Sequence, residues 1–127
     1  MRRIDLASAR VTETPNAVMT TLASPTQGGT ISLSLWRVSM RAGQHGPLHS
    51  FDGEQAWHLL DGTATVVVDD EAVELETGDT LVLPAASARQ VSTKTGAEFV
   101  TTGLARAAAT PITAAGPGEP VFPSWTA

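Results

Sequence analysis

The sequence contains no cysteine, which excludes disulfide scaffolds, thiol catalysis and cysteine-bound zinc and leaves cysteine usage silent about compartment. Basic residues are scarce: eight Lys and Arg stand against 13 Asp and Glu, a formal net charge of −5. That balance argues against a nucleic-acid backbone or an anionic membrane as partner and leaves small molecules and proteins. No apolar run approaches the ~18 residues of a membrane-spanning helix. Met1, Arg2 and Arg3 are followed by Asp5, Arg10 and Glu13 before any apolar stretch develops, so no secretory signal is expected and the chain reads as soluble and cytoplasmic. A long amphipathic helix is missing, and no repeat with a period of about 20–50 residues removes solenoids and propellers.

What is present points to one β domain. A chain of 127 residues, 42% of them apolar, has the size of a single core and buries roughly two-thirds of its unfolded surface without a metal or disulfide to hold it. Any metal would serve function. Val and Thr together supply 28 residues, and Gly, Pro, Asp and Ser clusters break the apolar runs at intervals of about 8–12 residues, the rhythm of an antiparallel all-β domain with little helix. Ile31, Leu33 and Leu35 alternate with serines before the apolar parity moves to Trp36, Val38 and Met40, which predicts a bulge or bend near Leu35. Strands are expected over 55–60, 63–68, 72–75, 80–83, 89–93 and 98–104. Asp61-Gly62, Asp69-Asp70 and Gly78-Asp79 are the turns between them, and Pro84 is a stop. Residues 105–115 read as a short helical turn or coil, and the Pro- and Gly-rich remainder as an extended tail that docks through Phe122 and Trp125.

Two stretches carry the chemistry. GQHGPLHSFDGEQAWHLLDG (residues 43–62) and GDTLVLPAASAR (residues 78–89) resemble the two motifs of the cupin superfamily, G-x5-H-x-H-x3-E-x6-G and G-x5-P-x-G-x2-H. Gly43, His49, Phe51, Gln55 and Gly62 fall on the first without insertion. Gly78 and Pro84 fall on the second, with Ala86 for its second glycine and Arg89 for its histidine. The resemblance implies a single small jelly-roll β-barrel with its core over about residues 30–104, an N-terminal strand segment over 1–29 and a tail over 105–127. It also implies a homodimer, with residues 4–22 as candidates for strand exchange.

Cupins of this kind hold a divalent metal through three imidazoles and a carboxylate. Of those four ligands only His49 is kept; Gln55 retains an amide oxygen without the charge, Phe51 ligates nothing, and Arg89 brings a fixed cation that opposes a metal. The metal site therefore reads as degraded, and the cofactor as none or a weakly bound divalent metal on His49 and Gln55, with the loop residue His45 as a third ligand. Alternation along the strand puts Gln55, Trp57 and Leu59 on one face, so an inward Gln55 turns His58 outward. Glu54 reads as a solvated rim carboxylate. Asp52-Gly53 reads as a turn.

The resemblance to small cupins of secondary metabolism, polyketide cyclases among them, implies a tailoring enzyme, a cyclase or isomerase acting on an aromatic or polyketide-like substrate. His49 would be its general acid or base, Arg89 with Gln55 would stabilise an enolate or phenolate, and Trp57, Phe51, Trp36 and Val38 would wall the substrate. Rival readings are a non-catalytic ligand-binding module, a metal-dependent oxygenase with a rearranged ligand set, and a purely structural dimer.

Overall fold

Short runs of Val, Thr and Leu between turn residues leave almost nothing to wind into helix. The computed structural model describes residues 1–127 and consists of eleven strands, every pairing antiparallel, with one 3-10 turn at Leu6–Ser8. One sheet runs β1 (Arg10–Glu13), β2 (Val18–Ala23), β3 (Leu33–Met40), β9 (Ala97–Leu104), β5 (Gln55–Val68), β7 (Thr80–Leu83). The other runs β11 (Gly116–Pro117), β10 (Ala109–Thr113), β4 (His49–Phe51), β8 (Arg89–Ser92), β5, β6 (Glu71–Glu76). Both share β5, whose first half pairs with β9 and β7 and whose second half pairs with β6 and β8. This is the all-β jelly roll that the motif spacing implied. No helix is long and apolar enough to cross a membrane.

The sharing of β5 corrects the expected break at Asp61-Gly62. Residues 55–68 form one 14-residue strand, with a register shift between Leu59 and Asp61 and Gly62 at φ +87°. A bulge followed by a left-handed glycine bends a strand without reversing it, so the chain passes from one sheet to the other. Asp69 and Asp70 do reverse the chain, both at positive φ, the backbone of a tight two-residue hairpin turn.

The expected bulge near Leu35 belongs to the neighbouring strand. β3 keeps one parity throughout, with Ser34, Trp36, Val38 and Met40 buried, while β2 shifts register between Thr21 and Ala23. Leu33 and Leu35 therefore face outward, and buried Ser34 is satisfied by donating to the Thr126 carbonyl. Residues 109–113 are strand rather than helical turn or coil, because β4 offers them an open edge to pair with. The tail docks, but through Trp125, which packs against the core; Phe122 stays 72% exposed. Residues 10–13 and 18–21, within the segment considered for strand exchange, pair inside their own chain.

Between the sheets lies a core that includes Trp36, Val38, Met40, Trp57, Leu59, Val66, Leu83, Val91 and Phe99. Trp57 and Phe99 meet edge to face, ring centroids 5.1 Å apart, the arrangement their quadrupoles favour.

Candidate functional site

Three strands bring the motif residues together. β4 carries His49 and Phe51 on one face, β8 places Arg89 opposite His49 in register, and β5 turns Gln55 and Trp57 inward. His58 faces away from them and binds the Thr80 hydroxyl through Nδ1, 2.7 Å apart. Beside this cluster lies a cavity of about 300 Å³. Its walls are nearly all carbon and include Trp36, Val38, Phe51, Trp57 and Val91, with His49, Thr14 and Asn16 as its polar side chains apart from indole N–H groups.

His49 is the one titratable residue on that wall. Its Nδ1 lies 2.8 Å from the Pro47 carbonyl oxygen. A carbonyl only accepts, so Nδ1 carries the proton and Nε2 keeps its lone pair, with no partner in the chain. Burial pushes the imidazole below its ordinary value of 6.5, the Pro47 bond opposes that, and the Arg89 charge lowers it further. The group is a neutral base of fixed tautomer against an apolar cavity. The Phe51 ring packs edge-on to it at 5.3 Å.

Arg89 and Gln55 keep the motif register, but neither side chain reaches the cavity wall where an enolate or phenolate would lie. Arg89 is completely buried and is absent from the cavity wall. Its guanidinium donates to the Ser87 and Pro84 carbonyls at 3.0 and 3.2 Å, to the Ser87 hydroxyl at 3.1 Å and to Gln55 Oε1 at 3.3 Å. The Phe51 ring covers it, with Cζ 5.6 Å from the centroid. An arginine is longer than the histidine of the motif, so its head runs past the cavity into carbonyls beyond. Burial lowers its pKa to about 10, Asp69 opposing, and it remains a cation at neutral pH. Gln55 Oε1 accepts from Trp57 Nε1 at 3.0 Å as well as from Arg89, so both lone pairs of the proposed ligand oxygen are engaged. His45 is exposed in its loop and is not part of the cavity wall.

These residues do not fit the metal that the motif implies. No group of three or more His, Cys, Asp or Glu side chains converges anywhere in the chain. His49 offers one nitrogen, Gln55 a saturated oxygen, and Arg89 a positive charge behind Phe51.

A cupin domain model matches residues 36–102, more than half the chain and the span from β3 to β9. The chain belongs to the cupin family. Several solved structures share its fold. The polyketide cyclase RemF from Streptomyces resistomycificus superposes with a TM-score of 0.72 at 17% identity, over 84% of this chain and 81% of that one. An RmlC-like cupin from Shewanella frigidimarina gives 0.68 at 18% identity over 77% and 85%. Salicylate 1,2-dioxygenase from Pseudoaminobacter salicylatoxidans, solved with gentisate, gives 0.66 at 23% identity. That match covers 74% of this cupin and only 26% of the dioxygenase. No curated protein sequence matches this cupin. Some cupins take a metal into the motif cluster; in this one a hydrogen-bonded guanidinium and amide fill it.

The wall includes residues outside the two motifs. Thr14, Asn16 and Ala17 enter from the turn between β1 and β2, Met19 from β2, and Val121, Pro123 and Trp125 from the tail. The i, i+2, i+4 spacing of the last three is the one signal in the sequence that they share a face. Trp57 spends its indole N–H on Gln55, whereas those of Trp36 and Trp125 have no partner in the chain. The wall therefore combines one basic nitrogen, His49 Nε2, with indole N–H groups and the Asn16 amide on an otherwise hydrocarbon surface.

Proposed function

We propose that this cupin is a small-molecule tailoring enzyme of the cyclase or isomerase type that acts on a flat, hydroxylated aromatic or polyketide-like compound without a metal. The observation that carries the reading is His49: a neutral imidazole, Nδ1–H tethered to Pro47, with Nε2 free on an apolar wall. Such a base takes a proton from a phenol or from carbon next to a carbonyl and returns it elsewhere on the same molecule. Trp36, Trp57 and Phe51 supply ring faces for stacking. Arg89 acts at a distance, since its charge behind Phe51, with no carboxylate in ion-pair contact, favours the enolate or phenolate that proton removal creates and disfavours a persistent imidazolium.

A binding module is the second reading, favoured by the presence of only one titratable group on the wall. Deuterium exchange separates the two. With 2-acetyl-1-naphthol as probe, binding is read from tryptophan fluorescence and exchange at the acetyl methyl by mass spectrometry in D₂O. The enzyme reading expects binding by both wild type and His49→Gln, with exchange falling about 100-fold or more in the variant. Binding without exchange by either protein establishes the module, and no binding by wild type refutes an aromatic-ligand site.

A further inference from the structure

The cavity has walls of two kinds. Trp36, Val38, Met40, Trp57 and Val91 stand on strands paired to a neighbour on each side, so moving them breaks sheet. Another side is the tail, which is fastened differently. Val121 exchanges two backbone hydrogen bonds with Ala109, each 2.8 Å. From there the N–H groups of Phe122, Ser124 and Trp125 bond to nothing in the chain, and Pro123 has none. At the far end Thr126 turns back on the Pro123 carbonyl through its N–H and hydroxyl at 3.3 and 3.1 Å, Trp125 packs against the core, and the remaining bonds are carbonyls accepting from side chains. Thr21 donates to Trp125 at 2.7 Å, Ser34 to Thr126, and Thr26 and Arg10 to Ala127 at 2.7 and 2.8 Å.

Residues 121–125 are thus a strap pinned at both ends, with no hydrogen bond to a strand from Phe122 to Ser124. Its outward residues, Phe122 and Ser124, are exposed, while Pro123 and Trp125 turn inward against the cavity. Every hydrogen bond that fastens the far end to the rest of the chain runs from a side chain to a tail carbonyl and separates without disturbing a strand pairing.

We propose that this strap is the entrance to the cavity and that Trp125 is the residue that sets the size of ring system admitted. The size rule rests on the aromatic-ligand reading above; the entrance does not. Removing the indole opens space beside His49 and Trp36 for one more fused ring, and the free Trp125 N–H is a donor to a ligand oxygen lying under the strap.

The test uses the full chain with two readouts. Acrylamide quenching of Trp36 and Trp57 reports the strap without any ligand: the Stern–Volmer constant should rise about twofold or more in Trp125→Ala and return most of the way in Trp125→Phe. The near-UV signal of the Trp57–Phe99 pair checks that each variant is folded. Because the chain lacks cysteine, Ser34→Cys combined with Thr126→Cys adds one reducible tether at the far clasp; oxidation should lower quenching relative to the reduced form. Equal quenching in oxidised and reduced protein, or in Trp125→Ala and Trp125→Phe, overturns the strap.

Binding of 2-naphthol and 9-phenanthrol reads the size rule. The preference for three rings over two should rise about tenfold in Trp125→Ala, the scale expected for burying one further ring. An unchanged preference overturns Trp125 as the size determinant while leaving the aromatic site standing. If neither phenol binds to any form while quenching still responds to the tether, the entrance stands and the aromatic-ligand reading, with the size rule built on it, falls.

Discussion

Thr101 offers the sharpest test of the packing behind the site. It lies on β9 in register between Trp36 of β3 and Trp57 of β5, its side chain 1% exposed, and its hydroxyl has no hydrogen-bond partner. Other buried hydroxyls in the fold are satisfied: Thr21 donates to Trp125, Ser34 to Thr126 and Thr93 to Thr63. Thr101→Val keeps the branched shape and the strand preference, and exchanges the unpaired oxygen for a methyl. An unpaired hydroxyl held out of water costs about 1–3 kcal/mol, and a buried methyl contributes roughly 0.8 kcal/mol, part of which is lost to a slightly tighter fit. The net expectation is a gain of about 1.5 kcal/mol, or roughly 6 °C in Tm for a domain of this length. Urea unfolding followed by tryptophan fluorescence should show a higher midpoint with an unchanged slope. Thr101→Ser, which keeps the oxygen and removes the methyl, should lose about 1 kcal/mol. A lower midpoint for Thr101→Val would refute the reasoning, because it would mean that the hydroxyl has a partner, such as a buried water, that the valine displaces.

Gly62→Ala should cost about 3 kcal/mol or more, since φ is +87° there and a Cβ would stand 2.0 Å from the Gly96 carbonyl oxygen; an unchanged urea midpoint would sink that account of how β5 crosses between sheets. His49 titrates lower in the folded chain than its ordinary 6.5, so between those two values the unfolded chain binds more protons. Its contribution to stability is therefore complete above pH about 6.5 and is lost as pH falls toward the folded value. Unfolding of wild type and His49→Gln between pH about 5 and 8 should diverge in that direction, and parallel curves would contradict it. Elemental analysis of protein purified without chelator should find no stoichiometric divalent metal. A near-stoichiometric metal that disappears in His49→Ala would overturn the donor-set argument.

Much of the fold is legible because its turns are chemically constrained. Gly43, Gly62 and Gly78 all sit at positive φ, and β7 ends at Leu83, immediately before Pro84, so the motif spacing reports real backbone geometry. What escapes the sequence escapes for local reasons. Asp61-Gly62 is as good a hairpin turn as Asp69-Asp70 until the pairing partners are known, because a left-handed glycine serves both a reversal and a bend. Leu33 and Leu35 mimic a buried stripe, and only β2 and β9 determine that Ser34 and Trp36 are the residues facing in. In the candidate site, the residue types on the aromatic wall were readable, whereas the reach of Arg89 and the return of the tail depend on contacts far away in sequence.

The three altered ligand positions make more sense together than singly. Read one at a time, Phe51, Gln55 and Arg89 are lost ligands. In the fold they complete one another: Gln55 Oε1 joins Trp57 to Arg89, Arg89 ties β5 to the Pro84–Ser87 turn, and Phe51 covers the guanidinium while its carbonyl accepts the Ala86 N–H at 2.7 Å. Ala86 holds a left-handed conformation there, φ +66°, in the place of the motif glycine. A metal at this point would fasten β4, β5 and β8 from within; here one buried cation and one amide do so through hydrogen bonds and a ring face. Charge is thereby kept in the cluster without an open coordination position. His49, relieved of ligation and held neutral beside that charge, is left with a lone pair that faces a cavity instead of a metal.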